Sequence, residues 1–179
     1  MSWPDLTAVL EGLPWGVIGA VAARHYMPER MTADIDIAVR AEDGPEVERR
    51  LAAAGYRRLG GLTTGGASWE APTGHRVDVV EGREQWWSEA LVQAADNQDA
   101  QGLPIVPLPY LVLTKLRTGR VQDVADVTRM LGLAEDSALD QVRRLIADES
   151  PRDLDDLESL ITLGQLETRP PSGEKGAGV

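Results

Sequence analysis

Apolar and polar residues alternate with a period of two in two separate stretches of the chain, and this alternation predicts half-buried β-strands. In residues 32–39, Ile35, Ile37 and Val39 fall on one face and two aspartates fall on the other. Residues 75–80 repeat the pattern, with valines on one face and a third aspartate on the other. A strand, a glycine turn and a helix are predicted from residue 15 to Tyr26.

The rest of the first half mixes helical and strand patterns, whereas the second half is helical. In chain order, the pattern predicts a helix at 46–54, strands at 56–62 and 67–71, a helix at 84–95, a short strand at 103–106, and helices at 110–117, 123–131, 137–147 and 151–163. The fold class is therefore α+β (mixed), with an N-terminal mixed β-sheet, flanking helices and a C-terminal helical part.

Three regions follow from this order of elements. Residues 1–106 are predicted to form a core that carries the site, and residues 107–167 a helical portion of the same compact unit. Residues 168–179 are rich in Pro, Gly and charge and are predicted to be a disordered tail.

Composition narrows the possible chemistry. The chain has 179 residues with 42% hydrophobic side chains, which predicts one domain with a real core and one active site. Cysteine is absent, which excludes disulfides and zinc–thiolate sites, and two histidines are too few for a His-rich metal cage. A metal would therefore bind mainly to oxygen ligands.

Charge and hydropathy restrict partners and location. A formal net charge of -11 disfavours a surface built as a whole for nucleic acid, although a local basic cleft containing Arg57, Arg58, Arg76 or Arg83 is compatible with it. No apolar stretch is long enough to cross a bilayer, and the first residues have no signal-like pattern. We therefore expect a cytoplasmic protein without a membrane partner.

The aspartates on the predicted strands suggest a metal site. Asp34 and Asp36 lie on one strand face about 6.6 Å apart, and two like charges so close are costly unless a cation joins them. Mg²⁺ favours such oxygen ligands together with phosphate oxygens. Asp78 is on a separate strand; if that strand lies beside the first it adds a third carboxylate, and three acids can hold two metal ions for phosphoryl transfer. Gly19 would let the start of a helix approach a triphosphate.

The order and spacing of these residues resemble a known signature. Gly19-Ala20, then Asp34-Ile35-Asp36-Ile37 after thirteen residues, then Val77-Asp78-Val79, are similar to the DNA polymerase beta-type nucleotidyltransferase superfamily. The runs at 30–36 and 113–126 resemble AbiEii-like and related small bacterial (MNT-like) nucleotidyltransferases, several of which are toxins of toxin-antitoxin pairs. The resemblance spans residues 15 to 131.

The resemblance implies a role for each matching residue. Asp34, Asp36 and Asp78 would bind two Mg²⁺ ions, with Mn²⁺ as a substitute, and Asp78 would also be the base toward an attacking hydroxyl. Triphosphate contacts would come from Gly19 and Ala20, and a phosphate contact from Lys115. Arg30 and Thr32 would steady the loop before Asp34, or Arg30 would meet phosphate directly. Ala20 departs from the superfamily's usual Gly or Ser, so it keeps the backbone N–H but lacks a hydroxyl.

The implied activity is Mg-dependent transfer of a nucleoside monophosphate from an NTP to a hydroxyl acceptor. The acceptor is a small molecule, a tRNA or a protein, and a toxin of this class would also have a cognate antitoxin. Two other interpretations remain beside it. A haloacid dehalogenase-type phosphatase is disfavoured, because no buried apolar strand precedes Asp34. A non-catalytic binding or regulatory module that keeps this fold is the second.

Several other residues have structural explanations. Asp123 and Asp126 lie three apart on a predicted helix and are expected to pair with Arg120, Arg129 or Lys115. The adjacent tryptophans 86 and 87 are expected to serve the core rather than stack on a base.

Overall fold

The computed structural model describes residues 3–28 and 31–168. These residues contain five strands and seven α-helices. The strands are β1 (Trp15–Ile18), β2 (Asp34–Arg40), β3 (Arg57–Gly61), β4 (Gly66–Glu70) and β5 (Arg76–Gly82); the helices are α1 (Gly19–Tyr26), α2 (Gly44–Ala53), α3 (Gln85–Ala94), α4 (Leu108–Thr118), α5 (Val121–Leu133), α6 (Asp136–Glu149) and α7 (Leu154–Thr168). The expected α+β class is confirmed.

The five strands form one mixed sheet in the order β1-β2-β5-β4-β3. β2 and β5 are parallel at its centre, and the other neighbouring pairs are antiparallel. The parallel pair is joined through α2, β3 and β4, which return to the sheet on the far side of β5. The two strands with period-two alternation are thus direct neighbours.

The apolar faces of the central strands form the core. Ile35 and Ile37 of β2, and Val77 and Val79 of β5, are between 0% and 3% exposed. α3 packs against β1 and β2, and the indole Nε1 of Trp87 donates a hydrogen bond to the Val39 carbonyl oxygen at 2.7 Å. The burial of both tryptophans confirms that they serve the core.

One predicted strand differs from the structure. Residues 103–106 make isolated bridges, one of them between Ile105 and Val17, and do not form a strand. Prolines at 104 and 107 explain the difference, because proline has no N–H to donate to a ladder. The expectation of a disordered tail falls almost entirely on residues 169–179, which lie outside the described residues, whereas Thr168 ends α7.

The helical half packs beside the sheet. α1 contacts α4 and α5, α4 packs on α5 and α6, and α7 covers α5. Within the described residues, no helix is long and apolar enough to cross a membrane.

Helices α5 and α7 approach each other closely through two glycines. A methyl group at Gly164 would collide with the backbone carbonyl of Thr128, and one at Gly132 would collide with the carbonyl of Gly164. Both obstacles are backbone atoms, which cannot rotate away as a side chain can. The glycines therefore set the distance between the two helices.

Gly164→Ala is expected to destabilise the protein by on the order of 2 kcal/mol, because overpacking at this contact outweighs the gain in helix propensity. Urea denaturation measures the change. Gly60→Ala is the control, because a methyl group there meets no atom within 4 Å. Equal stability of the two variants would contradict the close helix contact.

Candidate active site

The register of the two central strands brings three aspartates to one face of the sheet. Asp36 of β2 lies directly beside Asp78 of β5, and Asp34 lies beside Arg76. Residues that pair side by side in a sheet project to the same face. Asp34, Asp36 and Asp78 therefore share the face opposite the buried Ile and Val side chains.

Asp78 has the most partners of the three. Its Oδ1 accepts hydrogen bonds from Ser68 Oγ at 2.5 Å and from Arg76 Nε at 2.9 Å, and its Oδ2 accepts one from Arg76 Nη2 at 3.2 Å. Arg76 Nη2 also donates to Ser68 Oγ at 3.0 Å. Ser68 stands on β4 directly beside Asp78, so two neighbouring strands of the sheet, β4 and β5, build this contact.

Asp34 is held by the loop that leads into β2. Thr32 Oγ1 donates to Asp34 Oδ1 at 2.6 Å. Thr32 therefore orients the Asp34 side chain. Arg30, predicted to help in this loop, lies outside the described residues.

The start of α1 lies against the Asp36 carboxylate. Gly19 has a φ of 66°, and a methyl group there would collide with the Asp36 carboxylate. In the part of the chain that the structure describes, the N-cap residue Ile18 makes no side-chain cap, and the first amides of a helix have no partners within it. Ala20 follows in that first turn and is buried, so it offers its backbone N–H without a hydroxyl.

The surroundings of Asp36 shift the pKa of its carboxyl group. Burial raises the pKa of Asp36 from 3.8 to about 6, and the charges of Asp34 and Asp78 act on it in the same direction. Lys115 and Arg120 oppose the rise in this pKa. The cluster therefore has more negative charge at Asp36 than its surroundings neutralise.

Lys115 is buried between two acids of the next helix. Its Nζ donates to Asp123 Oδ1 at 3.0 Å and to Asp126 Oδ2 at 2.8 Å. The expected structural role of Asp123 and Asp126 is confirmed, and Lys115 is a partner that both acids share. Arg120 is exposed at the start of α5, and its guanidinium has no hydrogen bond or ion pair with another described residue.

Two of the arginines considered for a basic cleft have other partners. Arg57 pairs with Glu70, and Arg58 pairs with Glu48 of α2. Both stand on β3, the strand at the opposite edge of the sheet from β1. Arg76, by contrast, lies inside the carboxylate cluster.

The three carboxylates are chemically suitable ligands for a metal ion, but their side chains are not arranged to hold one. Three carboxylates on one face are hard oxygen ligands of the kind that Mg²⁺ takes. Yet in residues 3–28 and 31–168, no group of three or more His, Cys, Asp or Glu side chains is arranged to hold a metal ion. In this arrangement Asp78 already accepts hydrogen bonds from Arg76 and Ser68.

Ser68 is the site residue that sequence reasoning missed. It stands on the polar side of a predicted strand, but nothing in that strand says which neighbour it meets. Arg76, predicted for a basic cleft, belongs to the site because its position two residues before Asp78 on one strand places both on the same face.

Comparisons with known proteins bear on the fold. No protein-family model and no curated protein matches the sequence. Among solved structures, the chain is similar to the solution structure of the antibiotic-resistance factor ANT(2'')-Ia, with a TM-score of 0.53 and 15% identity over 90% of this chain and 88% of that one. A crystal structure of ANT(2'')-Ia in complex with adenylyl-2''-tobramycin gives a TM-score of 0.49 and 15% identity, covering 92% and 95%.

The chain has the mixed α+β nucleotidyltransferase fold. At 15% identity, the likeness to ANT(2'')-Ia establishes this fold and nothing finer.

Gly19→Ala is expected to destabilise the protein by more than about 2 kcal/mol, because it adds a collision with Asp36 to the strain of a left-handed residue. Gly12→Ala is the control, since Gly12 has a φ of 77° and a methyl group there would meet no atom within 4 Å. Thermal denaturation of both variants separates the two costs. Equal losses would show that the Asp36 contact contributes nothing.

Asp36→Asn is expected to stabilise the metal-free protein at pH 7 by up to about 3 kcal/mol. The folded state holds the Asp36 proton up to about pH 6 and the unfolded state releases it near 3.8, so the wild type loses stability as pH rises through this window. The advantage of the variant should therefore vanish below about pH 4. Urea denaturation in EDTA from pH 4 to 7 measures it.

Asp156→Asn, on the exposed surface of α7, is the control for this series. Its stability difference from the wild type should stay within about 0.5 kcal/mol at every pH. An Asp36→Asn advantage that does not change with pH would contradict the raised pKa.

Proposed function

We propose that the protein is a Mg-dependent nucleotidyltransferase that moves a nucleoside monophosphate from an NTP to a hydroxyl group. The observation that carries the proposal is the in-register face of Asp34, Asp36 and Asp78 beside the uncapped start of α1. This arrangement stands on a nucleotidyltransferase fold. The reaction forms a bond between the acceptor oxygen and the α-phosphorus and breaks the α–β phosphate bond, releasing pyrophosphate.

In this proposal the start of α1 binds the triphosphate. The amides of the first turn, at Gly19 and Ala20, would donate to phosphate oxygens, and the positive end of the helix dipole favours the negative charge of these oxygens. Arg120 adds an exposed guanidinium near Asp36. Lys115 adds positive charge to the same side of the cleft through its field, because its amine is bound to Asp123 and Asp126.

The acids hold the metal ions and move the proton. Asp34, Asp36 and Asp78 would bind Mg²⁺, with Mn²⁺ as a substitute, and bound divalent ions neutralise the phosphate charge that builds up in phosphoryl transfer. Asp78 would accept the proton of the attacking hydroxyl. Thr32 keeps Asp34 oriented for this role through its hydrogen bond to Oδ1.

For the acceptor, we propose a small hydroxylated molecule. The net charge of -11 repels a long phosphate backbone, and two of the arginines that could hold one locally, Arg57 and Arg58, are paired with glutamates. The resistance factor ANT(2'')-Ia, whose fold this chain shares, has been seen with adenylyl-2''-tobramycin. A tRNA or protein acceptor, and with it a cognate antitoxin of a toxin-antitoxin pair, is the alternative acceptor class.

A second candidate is a non-catalytic binding or regulatory module. The pairing of Asp78 with Arg76 and the alanine at position 20 favour it, because both depart from a site that is ready to bind a metal and a triphosphate. The carboxylate cluster favours the enzyme, since unpaired acids cost stability that a bound cation would restore.

Incubation with each α-labelled NTP and Mg²⁺ tests the proposal. The acceptors offered are a panel of hydroxylated small molecules that includes tobramycin, total RNA and total protein. We expect label to move to a small molecule, and Asp36→Asn to lower the rate at least about a hundredfold through loss of a metal ligand. Asp156→Asn should keep the wild-type rate, since its side chain is exposed on α7.

The distribution of label decides between the candidates. Transfer to RNA or protein alone would replace the small-molecule acceptor with the toxin-type one. No transfer to any acceptor, together with no metal-dependent nucleotide binding, would leave the non-catalytic module.

A further inference from the structure

The three acids of the cluster differ in how well they are compensated. Among residues 3–28 and 31–168, Asp78 is the one acid of the three with hydrogen bonds to both carboxylate oxygens, and Arg76 supplies a bond to each. Asp34 has one side-chain partner, Thr32. Asp36 has no hydrogen-bond partner for its side chain there, although the other two acids surround it. The positive charge of Arg76 is thus used mainly to neutralise Asp78.

The Arg76 guanidinium lies in the field of the entire cluster. The hydrogen bond to Asp78 raises the pKa of Arg76, and the charges of Asp34 and Asp36 raise it further. Its side chain is 51% exposed, whereas that of Asp78 is 12% exposed. Arg76 is therefore a counter-ion of the mostly buried Asp78 carboxylate. Because its other side is open to solvent, another cation can replace it.

We propose that Arg76 is the resident counter-cation of the three-acid cluster, and that a divalent ion binds Asp78 only by displacing its guanidinium. The inference rests on the proposed function, because it takes Asp78 as a metal ligand. Among the described residues Arg76 donates to both Asp78 oxygens, so a metal ion would meet a positive charge at this carboxylate. Metal affinity is then the outcome of a competition between two cations for one carboxylate.

The displaced guanidinium has a place to go. Arg76 stands directly beside Glu70 of β4, on the side away from β2. Arg57 holds Glu70 through Oε2 alone, so Oε1 is open to a second guanidinium. A rotation of the Arg76 side chain across one strand spacing would therefore exchange one carboxylate partner for another and leave Asp78 with Ser68.

Through this exchange, Asp78 is released from Arg76, and can act as the base, only when a metal ion binds. While Arg76 holds Asp78, its positive charge repels a divalent ion from the same carboxylate. Displacement by a divalent ion frees it from the guanidinium at the moment when the site is loaded. The pairing thus keeps the acids together without a metal, at the cost of weaker metal binding.

Titration with Mn²⁺, followed by the electron paramagnetic resonance signal of the free ion, tests the proposal without measuring activity. Arg76→Gln is expected to bind Mn²⁺ about tenfold more tightly than the wild type, because the competing charge is gone. Arg76→Lys should give a smaller increase, since an ammonium group cannot hold both carboxylate oxygens at once. Circular dichroism and thermal melting establish that each variant is folded.

Arg58→Gln is the matched control, because Arg58 has a 49% exposed side chain and pairs with Glu48, not with Asp78. It removes the same charge from the same sheet and should leave Mn²⁺ affinity within about twofold of the wild type. Equal tightening in Arg58→Gln and Arg76→Gln would reduce the effect to net charge and overturn the proposal. So would unchanged or weaker binding in both Arg76 variants.

Asp36→Asn in the Arg76→Gln background separates this inference from the proposed function. Loss of Mn²⁺ binding in the double variant, together with tighter binding in Arg76→Gln, supports both. Loss of binding without any tightening in Arg76→Gln overturns the role of Arg76 and leaves the metal site. Retention of full binding in the double variant overturns the metal site itself, and the displacement with it.

Discussion

Carboxylates on two adjacent parallel strands repel one another across one face of the sheet, and the residues around them must offset this repulsion. The register that buries Ile35 and Val77 on one face places Asp36 beside Asp78 on the other, so the core cannot form without bringing the acids together. A shift by one residue would separate the charges but expose the apolar face. Burial of the apolar side chains thus stabilises a cluster that its own charges oppose.

Each acid is compensated differently, and the differences give the cluster its chemical character. Among the described residues, Asp78 has Ser68 and Arg76, Asp34 has Thr32, and Asp36 has the more distant charges of Lys115 and Arg120. The raised pKa of Asp36 is the physical consequence. A divalent ion would relieve this imbalance, and the proposed metal-dependent transfer builds on that expectation.

The helical half serves the site through charge more than through direct contact. Lys115 is nearly inaccessible between Asp123 and Asp126, so its amine fixes α4 against α5 while its field still reaches Asp36. Arg120, at the start of α5, remains exposed. Gly132 and Gly164 let α7 pack closely against α5, the helix that carries Asp123 and Asp126.

The sequence by itself determined the local pattern: the alternation around Asp34, Asp36 and Asp78, the glycine before α1, and the helical second half, because periodicity and turn chemistry act over a few residues. The prolines at 104 and 107 were the local signal against a strand that the prediction overlooked. The tertiary structure alone decided which strands are neighbours, and so which side chains meet. That Ser68 and Arg76 take both oxygens of Asp78, and that Lys115 is bound by Asp123 and Asp126, depends on strand order and helix packing, which no local pattern encodes.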